Sequence, residues 1–376
     1  MLKIGISGGG IGGLAAAIAL ERAGHEVTVF EQADAFGRVG ADINLTPNAV
    51  RALDGLGIGE RLRETAARPS ARISRTWDTG EVTSHLPMSD EAERKYGAPQ
   101  LTMHRADVVH ALVQAIPAAR LRLGARVAGF ARVEGSEAGA SIDLADGSRH
   151  DFDLVVGADG IHSRVREFMF GEDRPQFTGV VSYRAVVPVK RITGNDVGAF
   201  VKWWGPTPES QIVTFPLNRG RDVFIFATTG QTDWTHESWT TPGDPDALRD
   251  AYRAFHQDAR ALLAACDSVL ASALYVRDPL PRWSRPGFTL LGDACHPMMP
   301  FMAQGAGMAI EDAVVLARAL DAAAPATLAA SLERYEAARR ERTARIQVGS
   351  RGNAWLKEGG NADWVYGYDA WRVPLA

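Results

Sequence analysis

The chain opens on an apolar run, Leu2–Ser7, then a glycine cluster, Gly8–Gly13, then an alanine-rich stretch of helical character, Leu14–Ala23. Gly24 interrupts it, and a second apolar run, Val27–Phe30, ends at Glu31. Strand, glycine turn, helix and strand in this order predict a βαβ unit with a right-handed crossover and parallel pairing. Alternating β-type residues follow over Ser74–Leu86, and the charged stretch Ser89–Gln100 reads as a loop. Helical periodicity returns at Ala106–Ile116. Leu121–Leu144 reads as strands around a polar hairpin at Glu134–Ala138, and Leu154–Gly157 is another buried-type strand running into Ala158-Asp159-Gly160. From Val180 to Ala273 the residues turn to Val, Thr, Phe and Trp with many turn formers. This segment predicts an antiparallel sheet carrying one helix near Pro245–Ala265. A last strand, Phe288–Leu291, precedes a long helix from about Gly305 and a charged helix over Leu328–Ile346. The tail from Asn353 is rich in Trp and Tyr.

The 376 residues exceed one ordinary domain, and a 46% hydrophobic content supports a large core and excludes global disorder. A net charge of −4 with no long basic run argues against nucleic acid or an anionic membrane as main partner. No run approaches a membrane span and no signal peptide is visible. Two cysteines, Cys266 and Cys295, make no disulfide framework and fit a reducing compartment. A soluble cytoplasmic protein, monomeric or a homodimer, is the expectation.

Gly8, Gly10 and Gly13 satisfy G-x-G-x-x-G between a strand and a helix. That spacing serves a tight turn, close approach of backbone to a pyrophosphate, and close packing of helix on sheet, with the helix N-terminus facing the anion. Glu31 ends the next strand, where a carboxylate can accept from ribose hydroxyls; an acid there disfavours a 2′-phosphate. The overlapping Gly5-Ile6-Ser7-Gly8-Gly9 matches the G-x-S-x-G of hydrolases, but Ser7 lies on the first strand, so the match reads as accidental. Far downstream, Leu290-Leu291-Gly292-Asp293-Ala294 is a strand ending in an acid, followed by His296-Pro297 and by Gln304-Gly305-Ala306-Gly307 before a helix. An acid at a strand end can hold a ribityl chain, and amides at a helix N-terminus can stabilise negative charge on a reduced ring. The pair of motifs suggests an extended cofactor of the FAD kind. With one glycine motif only, a reduced nicotinamide dinucleotide is expected to bind transiently, without a nucleotide-binding module of its own.

Gly8–Gly13 with Glu31, Ala158-Asp159-Gly160-Ile161-His162-Ser163, and Gly292-Asp293-Ala294-Cys295-His296-Pro297 together resemble the FAD-dependent aromatic hydroxylases. These are single-component flavoprotein monooxygenases of the para-hydroxybenzoate hydroxylase fold. The resemblance runs to about residue 350. Val201-Lys202-Trp203-Trp204, the run Met302–Asp312 and the tail Asp363–Asp369 look most like 6-hydroxynicotinate 3-monooxygenases and, more distantly, salicylate hydroxylases.

The resemblance implies FAD as cofactor and NADH or NADPH as transient co-substrate, with O2 consumed and a hydroxylated aromatic or N-heteroaromatic carboxylate as substrate. If the attacked carbon carries the carboxylate, CO2 leaves. It implies an α/β fold: a Rossmann-type FAD-binding domain over 1–73, 101–180 and 277–350, and a mainly antiparallel substrate-binding sheet over 74–100 and 181–276. C-terminal helices and a tail over 351–376 complete it. It places Gly10, Gly12 and Gly13 on the pyrophosphate, and Glu31 and Gln32 on the adenosine side. Arg38, Arg105, Val127, Asp159 and Asp293 follow along the cofactor, and Gly305, Ala306 and Gly307 lie at the isoalloxazine edge. Asn44, Arg184, Trp204, Phe215 and Met298 would face the substrate ring, with Asn44, His296 and Pro297 nearest the chemistry.

The departures bear on substrate. The 6-hydroxynicotinate enzymes carry an acid/base histidine where Asn44 stands and a tyrosine near Thr214, and polar or titratable groups near Phe200 and Ser210. Asn44 can orient a hydroxyl or carbonyl but takes no proton at neutral pH. A flavin oxidase or dehydrogenase, or a flavin-binding protein without activity, would share the glycine motif and Glu31.

Other residues are weighed singly. The nine histidines show no metal-ligand spacing, so no metal is expected. Of Trp203 and Trp204, alternation sends one to the pocket and the other to the back of the sheet. Arg184 fits an anion partner or a surface salt bridge, and His296 a functional or a structural hydrogen bond. Arg339-Arg340-Glu341-Arg342 reads as a solvated helix face, and Cys295 as a packing residue.

Overall fold

The computed structural model describes residues 1–37, 42–133, 139–232, 234, 241–357 and 360–375. Arg38 and the expected hairpin at Glu134–Ala138 lie outside them. Lys3–Ser7 is the inner strand of a six-stranded sheet, paired in parallel with Glu26–Phe30 on one side and Leu154–Gly157 on the other. Phe288–Leu290 continues the parallel order beside Leu154–Gly157. Helices cover such a sheet on its faces, which is why Ile4, Gly5, Ile6 and Ser7, and all of Leu154–Gly157, are buried without alternation. The first helix, Ile11–Arg22, begins three residues earlier than the alanine run suggests, inside the glycine cluster itself. It packs against Gly305–Ala319, so the two ends of the chain share one core.

The second sheet has eight strands in the order Thr241–Gly243, Val269–Val276, Gln176–Pro188, Asp222–Gly230, Gln211–Leu217, Phe200–Trp204, Ala71–Thr76, Val82–Pro87. All neighbours are antiparallel except Phe200–Trp204 beside Ala71–Thr76. One face, carrying Val201, Trp203, Ile212 and Ile225, packs on Leu248, Ala259, Leu262 and Leu263. Those residues come from two short helices, Pro245–Ala251 and Gln257–Ala264, where one was expected. Asp244 and His256 each cap a start, accepting from Asp246 N and Asp258 N, so the stretch divides at its second cap. The register sends Arg72, Phe200, Lys202, Trp204, Phe215 and Arg184 to the opposite face.

The charged stretch expected as a loop contains a helix, Asp90–Tyr96. Asp90, Glu91 and Glu93 crowd its first turn, Arg94 and Lys95 its last, and Gly97 takes the left-handed C-terminal position (φ 79°). No helix among the described residues is long and apolar enough to cross a membrane.

Candidate cofactor and substrate site

Gly8 sits at φ +108°, and a Cβ there would lie 2.4 Å from the carbonyl oxygen of Ala158. A Cβ on Gly13 would lie 2.0 Å from the Gly8 oxygen. The turn therefore folds only with bare backbone at both positions. Gly12 faces Leu291 and Ala309, which ties the first helix to the C-terminal motif. Gly10 precedes the helix, and a Cβ built on it meets no atom within 4 Å. Open space in front of a helix N-terminus, bounded by glycine backbone, is a cradle for phosphate. Glu31 is pinned beside it: its Oε2 accepts from Gly9 N (2.8 Å) and its Oε1 from Ala33 N (2.9 Å). Gln32 is exposed at the rim.

Asp293 opens to the same cleft yet is walled by protein. Burial pushes its carboxyl up, opposed by the charges of His296 and Arg105. Arg105 begins the helix Arg105–Val113 and is exposed toward the cleft. Gly305, Ala306 and Gly307 form the first turn of Gly305–Ala319, and a Cβ on Gly305 would stand 4.0 Å from Asp293 Oδ1. Acid, cation and amide-rich helix start thus converge on one groove, 280 residues away in sequence from the glycine turn. These residues fit FAD.

Two expected contacts have other work. Asp159 accepts from Ser163 Oγ and from the amides of Arg164 (2.9 Å) and Val165 (3.2 Å), so its carboxylate organises the helix Arg164–Phe170. The carbonyl of Val127 accepts from Arg164 Nη1 (2.9 Å).

Asn44 lies on Ile43–Leu45, paired with Leu101–Met103. Its Oδ1 accepts from Gln100 Nε2 (2.8 Å), while Asn44 Nδ2 and Gln100 Oε1 are buried with no partner. Phe215 stacks on Phe200 (5.6 Å, 5°) in an apolar cluster with Val213 and Phe224. Trp203 and Trp204 take opposite faces of the sheet, and Trp204 is the one beside Lys202. Arg184 is no surface salt bridge: it is buried, its Nη2 donates to Ser272 Oγ (3.2 Å), and burial lowers its pKa against the pull of Asp42. Asp42 carried no signal in the sequence. Burial raises its pKa to about 7, with Arg184 and Arg105 opposing.

The loop after Asp293 is held from beneath. His296 Nε2 meets Asp312 Oδ2 at 2.6 Å, and Gln347 Nε2 donates to the Pro297 carbonyl (3.0 Å). Met298 packs with Met302, Trp355 and Tyr366. Asp312 also accepts from Gly292 N (3.0 Å) and from Arg339 Nε (2.7 Å). Arg339 Nη1 reaches Glu311 (2.7 Å), which takes Arg342 and Asn48 Nδ2 as well. Arg339 and Arg342 are therefore not a solvated face. Arg339 is wholly buried, in the stripe of Leu332, Tyr335, Thr343 and Ile346. Burial alone would raise Asp312, but His296 and Arg339 hold it down at about 2. Cys295, His296 and Asp312 offer ligand atoms within 4.8 Å of one another. Asp312 is already committed there to Arg339 and His296, and burial holds the Cys295 thiol well above its usual pKa. The trio reads as a hydrogen-bonded support.

A sequence profile described as an FAD-binding domain matches residues 1–349. The chain is 37% identical over 374 residues to a 6-hydroxynicotinate 3-monooxygenase of Bordetella bronchiseptica, covering 99% of this chain and 97% of that one. It is 35% identical over 353 residues to 3-hydroxybenzoate 6-hydroxylase 1 of Aquipseudomonas alcaligenes, covering 92% and 87%. Among solved structures, a salicylate hydroxylase with substrate superposes with a TM-score of 0.85 at 26% identity, covering 98% and 96%. The chain belongs to the FAD-binding family of aromatic-ring monooxygenases. It is an FAD-dependent enzyme of that kind, which sets aside the oxidase and the inactive flavin-binding readings.

Proposed function

We propose that this enzyme hydroxylates a hydroxylated aromatic or N-heteroaromatic carboxylate, 6-hydroxynicotinate being the first candidate, at the expense of reduced nicotinamide and O2. The observation that carries the reading is the pair of buried, unpartnered atoms Asn44 Nδ2 and Gln100 Oε1. A buried donor and acceptor left open cost stability unless a ligand uses them. Near-full-length likeness to a 6-hydroxynicotinate enzyme supports it. A salicylate-type hydroxybenzoate is the second reading, favoured by the likeness to salicylate hydroxylase.

When bound, FAD supplies the activation of O2 for ring hydroxylation. Gly8, Gly10, Gly12 and Gly13 would hold its pyrophosphate, Glu31 and Gln32 its adenosine side, and Arg105 and Asp293 its middle. Gly305, Ala306 and Gly307 would border the ring. Asn44 orients the substrate's hydroxyl or carbonyl, and Phe215 and Trp204 exclude water. Asp42, two residues before Asn44, has a carboxyl that burial raises to about 7 against the charges of Arg184 and Arg105. His296 and Pro297 keep the loop in place through Asp312 and Gln347.

The test is reduced-nicotinamide oxidation by the purified holoenzyme across hydroxybenzoates and hydroxypyridine carboxylates, with product mass measured. A gain of one oxygen, with or without loss of CO2, is expected for at least one acid; oxidation with no oxygenated product from any of them would reject the reading. Asp293→Ala is expected to weaken FAD by about 10- to 100-fold, the loss of a charged hydrogen-bond acceptor, with an unchanged urea midpoint. Full yellow occupancy at low flavin would contradict it.

A further inference from the structure

Beneath the sheet edge lies a knot of positive charge that the hydroxylation reading leaves unused. Lys202 and Arg72 project from neighbouring strands to the face shared with Arg184 and Phe215, and are 2% and 4% exposed. Among the described residues the charges acting on Lys202 are cationic, those of Arg72 and Lys357, and no carboxylate is among them. Lys202 Nζ donates to Asn353 Oδ1 (2.5 Å) and lies over the Trp204 ring at 3.7 Å. Arg72 rests between the rings of Phe200 (4.6 Å) and Trp355 (4.9 Å), and its Nη1 is buried without a partner. Trp204 Nε1 and Trp355 Nε1 are buried and unpartnered as well, and the Tyr366 hydroxyl lies against the Arg72 guanidinium. Burial, then the charges of Arg72 and Lys357, hold the Lys202 ammonium well below its usual pKa. A desolvated guanidinium, an amine whose charged form burial disfavours and two spare indole donors, framed by aromatic rings, are costly unless an anion joins them.

We propose that Lys202 and Arg72 form the subsite for the substrate's carboxylate, an assignment that rests on the aromatic-acid reading above. The setting matches one small planar anion. A carboxylate accepts from a guanidinium and an ammonium together, and the rings of Phe200, Trp204 and Trp355 flank an aromatic body. The subsite adjoins the loop at the chemistry: Lys202 Nζ is 5.6 Å from the Phe301 ring, and Met298 shares a cluster with Trp355 and Tyr366. Asn44 and Gln100 then serve the ring's polar edge and Lys202 with Arg72 its acid.

The experiment titrates the FAD absorbance of the holoenzyme with 6-hydroxynicotinate and its carboxamide, and with salicylate and salicylamide. Lys202→Met is expected to weaken the better acid about 10- to 100-fold, the loss of a charged hydrogen bond, and its amide by less than about threefold on the same scale. An apolar side chain of similar length suits a buried site, and FAD content reports the fold. Arg72→Gln supplies the second variant, with the same acid-selective loss expected. Equal losses for acid and amide in both variants, or none, overturn the assignment. Displacement of the acid by millimolar phosphate in the wild type but not in Lys202→Met would mark a general anion pocket and also overturn it. Wild type that binds neither acid sinks the substrate reading together with this one. Hydroxylation of an acid with an unchanged acid-to-amide ratio in the variants sinks this one alone.

Discussion

Arg339→Met is expected to destabilise the fold by about 3–5 kcal/mol, the range for removing one partner of a buried ionic group. The guanidinium bridges Glu311 and Asp312, all three fully buried. Without it, among the described residues, Glu311 keeps Arg342 and Asn48, while Asp312 keeps His296 and one amide. The consequence reaches the loop after Asp293 through His296. Urea unfolding checks the size, and a midpoint equal to wild type would reject the account. The same network sets an acid limit. Asp312 is held at about 2 when folded, against about 4 in an unfolded chain. A depressed carboxyl contributes stability that is present above the unfolded value and lost as the pH falls toward the folded one. Stability should therefore drop between about pH 4 and pH 2, and an Asp312→Asn variant should show a flatter profile there.

Gly13→Ala is expected to yield colourless protein, its FAD affinity reduced at least about 100-fold, or ~2.7 kcal/mol. The added carbon meets a backbone oxygen, not a side chain that can swing away, because Gly8 is itself wedged against Ala158. Gly10→Ala makes the contrast. Its Cβ meets no protein atom, so the fold should keep its melting temperature while the methyl group intrudes on the phosphate cradle. If Gly13→Ala purified yellow, the turn would not be the rigid element described above.

The βαβ opening was legible because each local preference agreed with the global arrangement: apolar strands, a glycine turn, an alanine-rich helix. The early start of Ile11–Arg22 was not, since Gly12 and Gly13 are poor helix formers that contact with Leu291, Ala309 and Gly8 requires. Arg339 was misread from its charged neighbours. Its spacing from Tyr335 and Thr343, four residues either way, already placed it on the buried stripe. The complementary clue was Glu311-Asp312 inside an otherwise apolar helix, two acids in need of buried cations. The helix Asp90–Tyr96 hid in plain charge, its acid-first, base-last order being a helix signature. Asp42 and Gln100 had no local mark at all, because what surrounds them comes from strands and helices distant in the chain.

The interlock of Gly12 with Leu291 and Ala309 carries a consequence for biosynthesis. The residues that complete the nucleotide cradle leave the ribosome almost 300 positions after those that begin it, roughly 15–60 s later at common elongation rates. Until then the strand Leu154–Gly157 lacks Phe288–Leu290 beside it, and the first helix lacks its partner. The nascent chain must keep that apolar edge from pairing elsewhere, which makes its early half a natural client for chaperones and places cofactor capture late in synthesis.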